Sequence, residues 1–139
     1  MKETLPQEQD SKTPFQMGLL YFSYLLVMVD GEVDQREKEA IHKIKIKENI
    51  PDWVFDDFEE HIASLTEQQI FKKGVELMNR CSDEDKLKAF VQLYLLTEID
   101  NKVHRKEVRF LLYSLKATNV PFEEVERRAK VESAVVVKR

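Results

Sequence analysis

Tyr24-Leu25-Leu26-Val27-Met28-Val29-Asp30-Gly31-Glu32-Val33-Asp34-Gln35-Arg36-Glu37 is the stretch on which the fold turns. An almost wholly apolar helix ends there in an acidic turn, and the turn opens a second helix. Seventy residues on, the pattern returns as Tyr94-Leu95-Leu96-Thr97-Glu98-Ile99-Asp100-Asn101-Lys102-Val103-His104-Arg105-Lys106-Glu107. The two copies stay in register without a gap as far as Asn49-Ile50-Pro51 and Asn119-Val120-Pro121. Tyr, Leu, Leu, Asp, Val, Glu, Asn and Pro recur at matching places, which reads as an internal duplication of a helix–acidic turn–helix unit. The expected fold is all-α, a compact bundle of about seven helices.

Outward from this stretch, the start and stop signals mark the other helices. Residues 1–12 are polar, carry Pro6 and show no apolar period, so they read as a disordered N-terminal arm. Thr13-Pro14-Phe15-Gln16 reads as a helix start, with Thr as N-cap, Pro at the first position and Gln three residues on. The helix that follows is apolar on nearly every side to Val29 and must be surrounded by others. Asp34 with Glu37 opens the next, which Asn49 and Pro51 stop, as Asn119 and Pro121 stop its copy. Val108, Leu111, Leu112 and Leu115 set that copy's apolar stripe. Phe55, Phe58, Ile62 and Leu65 form the stripe of a third helix, with Asp56, Asp57, Glu59 and Glu60 toward water. Thr66-Glu67-Gln68-Gln69 is a further capping box, and Ser82 caps the counterpart of the first helix. A last helix from Pro121 or Phe122 turns Phe122, Val125 and Ala129 inward and sets Glu123/Arg127 and Glu124/Arg128 as pairs outside. The expected domain is 13–134, with 135–139 left as a tail.

Composition narrows the class of function. A chain of 139 residues buries roughly two-thirds of its unfolded surface in one core, without metals or disulfides. The single Cys81 and the polar start Met1-Lys2-Glu3-Thr4 point to a reducing, cytoplasmic setting. Gly18 and Ser23 interrupt the longest apolar run, which falls short of the roughly 20 residues that span a bilayer, so direct membrane insertion is not expected. A net charge of −4 with 35% charged residues argues against nucleic acid, although Arg127, Arg128 and Lys130 form a small basic group. No Gly-rich loop cradles a phosphate and no Ser stands in a Gly-x-Ser-x-Gly elbow, so the chain does not read as an enzyme. Cys81 reads as buried and inert, and His42 and His61 as solvent-exposed without a role. Trp53, an aromatic at a helix start beside Pro51 and Asp52, reads either as an anchor for another protein or as half-buried core.

The acidic turn is the one chemical signal. Asp30-Gly31-x-Val33-Asp34-x-x-Glu37 matches the second half of a calcium-binding EF-hand loop, but Leu26 and Met28, or Leu96 and Glu98 in the copy, stand at loop positions one and three, so an EF-hand is rejected. Asp34 and Glu37 lie three apart, roughly 5–6 Å between Cβ atoms on one helical face, with Asp30 just before them. Three carboxylates so placed form a site for a divalent cation (Ca, Mg, Mn or Zn), helped across the bundle by Asp100 and Glu107. His104 in the copy would suit a transition metal. The same residues are also what a capping box and a tight turn require, so local structure alone explains the motif without a metal.

The paired apolar helix, Asp-Gly turn and following Glu resemble the tellurite-resistance protein TerB family, which includes the N-terminal domain of DjlA-type co-chaperones. The resemblance covers Thr13 to Ala129 and rests on Leu25 to Glu37 and its echo. It implies a compact helical bundle, a bacterial cytosolic protein of tellurite-type stress response, no catalytic activity, and acidic residues that bind metal. Asn101 and His104 depart from the pattern in the second copy. Two expectations follow: a non-enzymatic TerB-like domain holding a divalent cation at the turn, or a protein-interaction module whose turn is helix capping alone.

Overall fold

Residues Thr4–Met28 form one helix, α1, whose middle has no polar face. Leu19, Leu20, Tyr21, Phe22, Leu26 and Val27 are all fully buried although they point in every direction around the axis. Six helices follow: α2 (Gln35–Lys47), α3 (Asp52–Ser64), α4 (Glu67–Met78), α5 (Asp83–Leu96), α6 (Arg105–Thr118) and α7 (Phe122–Lys138). The computed structural model describes the backbone of residues 4–28, 35–96 and 105–138, and the side chains of 13–27, 39, 41–96 and 109–132. Among the described residues there is no strand. α1 packs against α2, α3, α4, α5 and α6, most extensively against α4. Two glycines permit that approach: a Cβ on Gly74 would stand 3.3 Å from the Phe22 ring, and one on Gly18 would stand 2.7 Å from Met78 Cε.

The start of α1 differs from the sequence expectation. The helix begins at Thr4, not Thr13, and takes in most of the segment read as a disordered arm. Pro6 falls in the first turn, where its missing N–H has no intrahelical partner to lose, and Gln7, Glu8, Gln9 and Lys12 are good helix formers. Pro14 therefore stands inside the helix, at the expense of one rung of the hydrogen-bond ladder. At the other end of the chain, α7 runs through Val135, Val136 and Val137, so the presumed tail is helical as well.

Two of the expected caps fall where the sequence placed them, while the Asp34 cap lies outside the described residues. Thr66 Oγ1 accepts from Gln69 N–H at 3.1 Å while Gln69 Oε1 accepts from Thr66 N–H at 2.9 Å, a complete capping box. Ser82 Oγ accepts from Asp85 N–H. Leu26 and Leu96, at matching places in the two stretches, are both buried. Leu112 departs from its expected stripe and is exposed, whereas Leu111 and Leu115 are buried. The outer charges of α7 also pair differently. Arg127 bonds Glu124 one turn back, while Arg128 reaches across to Glu84 on α5 at 2.7 Å, and this bond holds the Glu84 carboxyl below its usual range.

The ends of α2 and α6 share one geometry. Asn49 and Asn119 have positive φ, 53° and 60°, the left-handed conformation that Asn tolerates better than most residues. Each donates its N–H three residues back, to Ile46 and Lys116, and the next residue, Ile50 or Val120, donates five back, to Lys45 or Leu115. That is a Schellman closure at both corners. The carbonyl just before each Asn is taken by a side chain from a distant helix: Gln16 Nε2 donates to Glu48 O at 3.2 Å and Lys86 Nζ to Thr118 O at 3.0 Å. Gln16 is thus no capping partner of Thr13; it closes the end of α2, as Lys86 closes the end of α6. Both pairs lie 32 residues apart in the chain.

Lys86 is buried, and its ammonium also meets Asn79 Oδ1 at 3.4 Å and Asp83 at 3.8 Å. Replacing Lys86 with Met keeps the stem and leaves the Thr118 carbonyl without its donor, which should destabilise the fold by about 1–3 kcal/mol in denaturant unfolding. The exposed Lys88→Met control should stay within about 0.5 kcal/mol of the parent. Equal losses for the two variants would show that the Thr118 carbonyl is satisfied by water instead.

Candidate functional site

Asp30, Asp34, Asp100 and His104 lie outside the described residues, and so do the side chains of Glu37 and Glu107, whose backbone belongs to the first turns of α2 and α6. Among the described residues, no group of three or more His, Cys, Asp or Glu is placed to hold a metal ion. His42 is exposed with its ring 5.1 Å from Phe55, and exposed His61 faces Asp57 on its own helix, with Nδ1 3.4 Å from the carboxylate.

A different site emerges at the surface between α4 and α6. It begins in the core. Phe22 on α1 is fully buried and touches Phe90 on α5 with ring centroids 5.6 Å apart. On its outer side Phe22 meets Phe71 at 5.8 Å, edge to face, and Phe110 at 6.2 Å. Phe71 and Phe110 are half-buried and lie 6.0 Å from each other. Tyr113, one turn beyond Phe110, then stacks on Phe71 at 5.3 Å and 25° while 64% of it remains exposed. The rings thus form a ladder from the core to the solvent, in the tilted, edge and offset arrangements that aromatic quadrupoles favour. The groove beside the ladder has a volume of about 480 Å³ and is lined by Leu25, Glu67, Gln68, Phe71, Lys72, Phe110 and Tyr113. The adjacent Leu112 is 44% exposed.

The sequence reading missed this groove but left a signal for it. Phe110 and Tyr113 stand three apart on α6, off the stripe of Leu111 and Leu115 that faces the core. A helix with aromatic residues on a second face has more apolar surface than one core contact consumes. Trp53, singled out as a possible anchor, is 62% exposed in the first turn of α3, and Ile46 at the end of α2 is 73% exposed. Lys45 bridges these two helices, bonding Asp52 at 2.7 Å and lying 5.7 Å over the Phe55 ring. The basic group at Arg127 and Arg128 is largely spent on Glu124 and Glu84.

Cys81 is half-buried, and its Sγ donates to Leu77 O at 3.4 Å. Burial pushes the thiol up from its ordinary 9.0 to about 11, with the Asp85 carboxylate adding to the shift and Lys86 opposing it. Burial raises the Tyr21 hydroxyl likewise, helped by Asp57. The described helices include none long and apolar enough to cross a membrane. No protein-family model, curated protein or solved structure matches the chain.

The thiol gives a test of the packing. A group whose folded pKa is raised stabilises the native state fully below its unfolded value, and that contribution is lost as pH rises toward the folded value, here from about 9 to about 11. At pH 8 the native thiolate fraction is roughly a hundredfold below that of the unfolded chain, so iodoacetamide should alkylate native Cys81 about a hundredfold more slowly than the denatured protein. Comparable rates in the two states would place Cys81 at the surface.

Proposed function

We propose that the chain is a non-enzymatic helical domain that docks a segment of another protein in the aromatic groove between α4 and α6. The observation that carries this reading is the Phe71–Tyr113 stack: a wide aromatic surface left in water, yet anchored through Phe22 to the core. Aromatic residues that are rigid before a partner arrives are favoured binding anchors, because little ordering entropy is lost on contact. The exposed Trp53 supports the same class of function. The resemblance to the TerB family, carried by Leu25 to Glu37 and its echo, sets the proposed context as the bacterial cytosol and a tellurite-type stress response.

The docking reading is tested with a panel of synthetic amphipathic helical peptides of differing charge, added to the isotope-labelled full chain. At least one should shift the amide resonances of Phe71, Phe110 and Tyr113, and Tyr113→Ala should weaken its binding about tenfold or more. Shifts confined to the surface around Trp53 would move the docking site there, and no shift with any peptide would end the reading.

A second reading keeps the divalent cation at Asp30, Asp34 and Glu37, joined by Asp100 and Glu107. It rests on the sequence recurrence: Asp30, Asp34 and Glu37 lie at the entry to α2, and Asp100 and Glu107 recur seventy residues on at the entry to α6. Capping and binding separate by linkage. A cation held at about 100 times its dissociation constant stabilises the native state by roughly 2.7 kcal/mol, several degrees in melting temperature for a domain of this size. Chelator-stripped protein should therefore melt higher with added calcium, magnesium, manganese or zinc, and Asp30→Asn or Glu37→Gln should abolish the rise. A midpoint that no cation moves leaves the turn as helix capping.

A further inference from the structure

Among the described residues, three cations stand on or beside the helical faces that carry the aromatic groove. Lys72 lines it from α4. On α6, Arg109 stands four residues before Tyr113 and Lys116 three residues after it, spacings that bring all three to one helical face. All three cations are exposed, and among the described residues none has an ion pair or hydrogen bond. Lys45, Lys47, Lys86, Arg127 and Arg128, by contrast, each have an acidic partner within 4 Å, while Lys43, Lys73, Arg80, Lys88 and Lys130 elsewhere on the surface are exposed without one among the described residues. Glu67 is the one carboxylate among the lining residues.

From this charge pattern we infer that the docked segment is an acidic amphipathic helix, an inference that rests on the docking reading above. Its apolar side chains, one turn apart, enter the groove over Leu25, Phe71 and Phe110, and its Asp and Glu side chains reach Lys72, Arg109 and Lys116. Each element answers a feature on the surface. The groove lies between two helices and its volume of about 480 Å³ has room for more than one apolar side chain, which suits the i, i+3, i+4 anchors of a helix. Tyr113 stacked on Phe71 offers a flat apolar wall whose hydroxyl edge remains in water. Lys72 lines the groove, and Arg109 and Lys116 share the helical face of Tyr113 by their spacing, so carboxylates of a docked segment can exchange the water on these cations for charge-assisted bonds. A basic segment would bring like charges to the same cations and gain only Glu67.

The test uses the full chain and two fluorescein-labelled synthetic peptides of about sixteen residues, with identical Leu and Phe positions and with either Glu or Lys at the flanking ones. The acidic peptide should bind at least about tenfold more tightly than the basic one, weaken as salt rises, and shift the amides of Phe71, Phe110 and Tyr113. Lys72→Glu combined with Arg109→Glu should invert the preference, and Tyr113→Ala should weaken both peptides. All three substitutions are at exposed positions, and unchanged melting temperatures will confirm that the variants fold. Equal affinity for the two peptides at this groove would overturn the acidic inference and leave docking intact; binding elsewhere, or by neither peptide, would overturn both. Anionic phosphatidylserine vesicles bound in preference to the acidic peptide would overturn the inference in favour of a lipid surface, and concentration-dependent self-association lost in Tyr113→Ala would make a second copy the occupant.

Discussion

A helix without a polar face is stable in water only where other elements cover it all round, and α1 imposes that condition on this chain. Each fully buried Leu, Phe or Val contributes about 1.5–3 kcal/mol relative to exposure, and α1 supplies six fully buried large residues within nine positions, from Leu19 to Val27. Five of the six other helices are consequently drawn against it. The glycines at 18 and 74 show the closeness required: Gly74 exists where the Phe22 ring needs the space, and Phe22 is the residue from which the aromatic ladder grows. One crowded contact between α1 and α4 therefore connects the core to the surface groove.

Packing α1 on every side creates a second difficulty, the ends of the helices that surround it. The last carbonyls of α2 and α6 turn toward the bundle, where water does not reach freely and an unpaired acceptor destabilises by about 1–3 kcal/mol. The two solutions are alike in geometry and differ in chemistry. A left-handed Asn reverses the chain, and a long polar side chain from α1 or α5 takes the carbonyl before it. Gln16 does so with a neutral amide, Lys86 with an ammonium that also takes Asn79 and Asp83 as neighbours. The ammonium requires more partners because a buried charge is costlier to leave unpaired than a buried amide.

The helices could be read from the sequence because their signals are local. Thr66 with Gln69, Ser82 with Asp85, and the Asn-x-Pro stops act within four residues, and each is realised. The readings that failed depended on distant partners. Gln16 looked like half of a capping box at Thr13 because nothing nearby in sequence announces Glu48 as its acceptor. Arg128 lies four residues from Glu124 but finds Glu84 on another helix. Leu112 fits an apolar stripe by spacing, yet Leu111 and Leu115 already fill that interface and Leu112 is left outside. The groove was hidden for the same reason, since Phe71 and Tyr113 stand 42 positions apart in the chain and no period in either helix records that they meet.

The groove persists as an open feature because its rings are braced from beneath. Phe71 and Phe110 both rest on Phe22, and Phe22 rests on Phe90, so neither wall can fold into the gap without losing contacts already made. Tyr113 adds area at small entropic cost, being held by its stack on Phe71. The surrounding cations act at short range only. With a net charge of −4 the whole chain repels an acidic segment weakly at a distance, and salt screens fields beyond a Debye length of about 8 Å at physiological strength. Lys72, Arg109 and Lys116 therefore discriminate among segments that have already reached the rings: the apolar surface sets how long a segment stays, and the charges set which segment can settle in register.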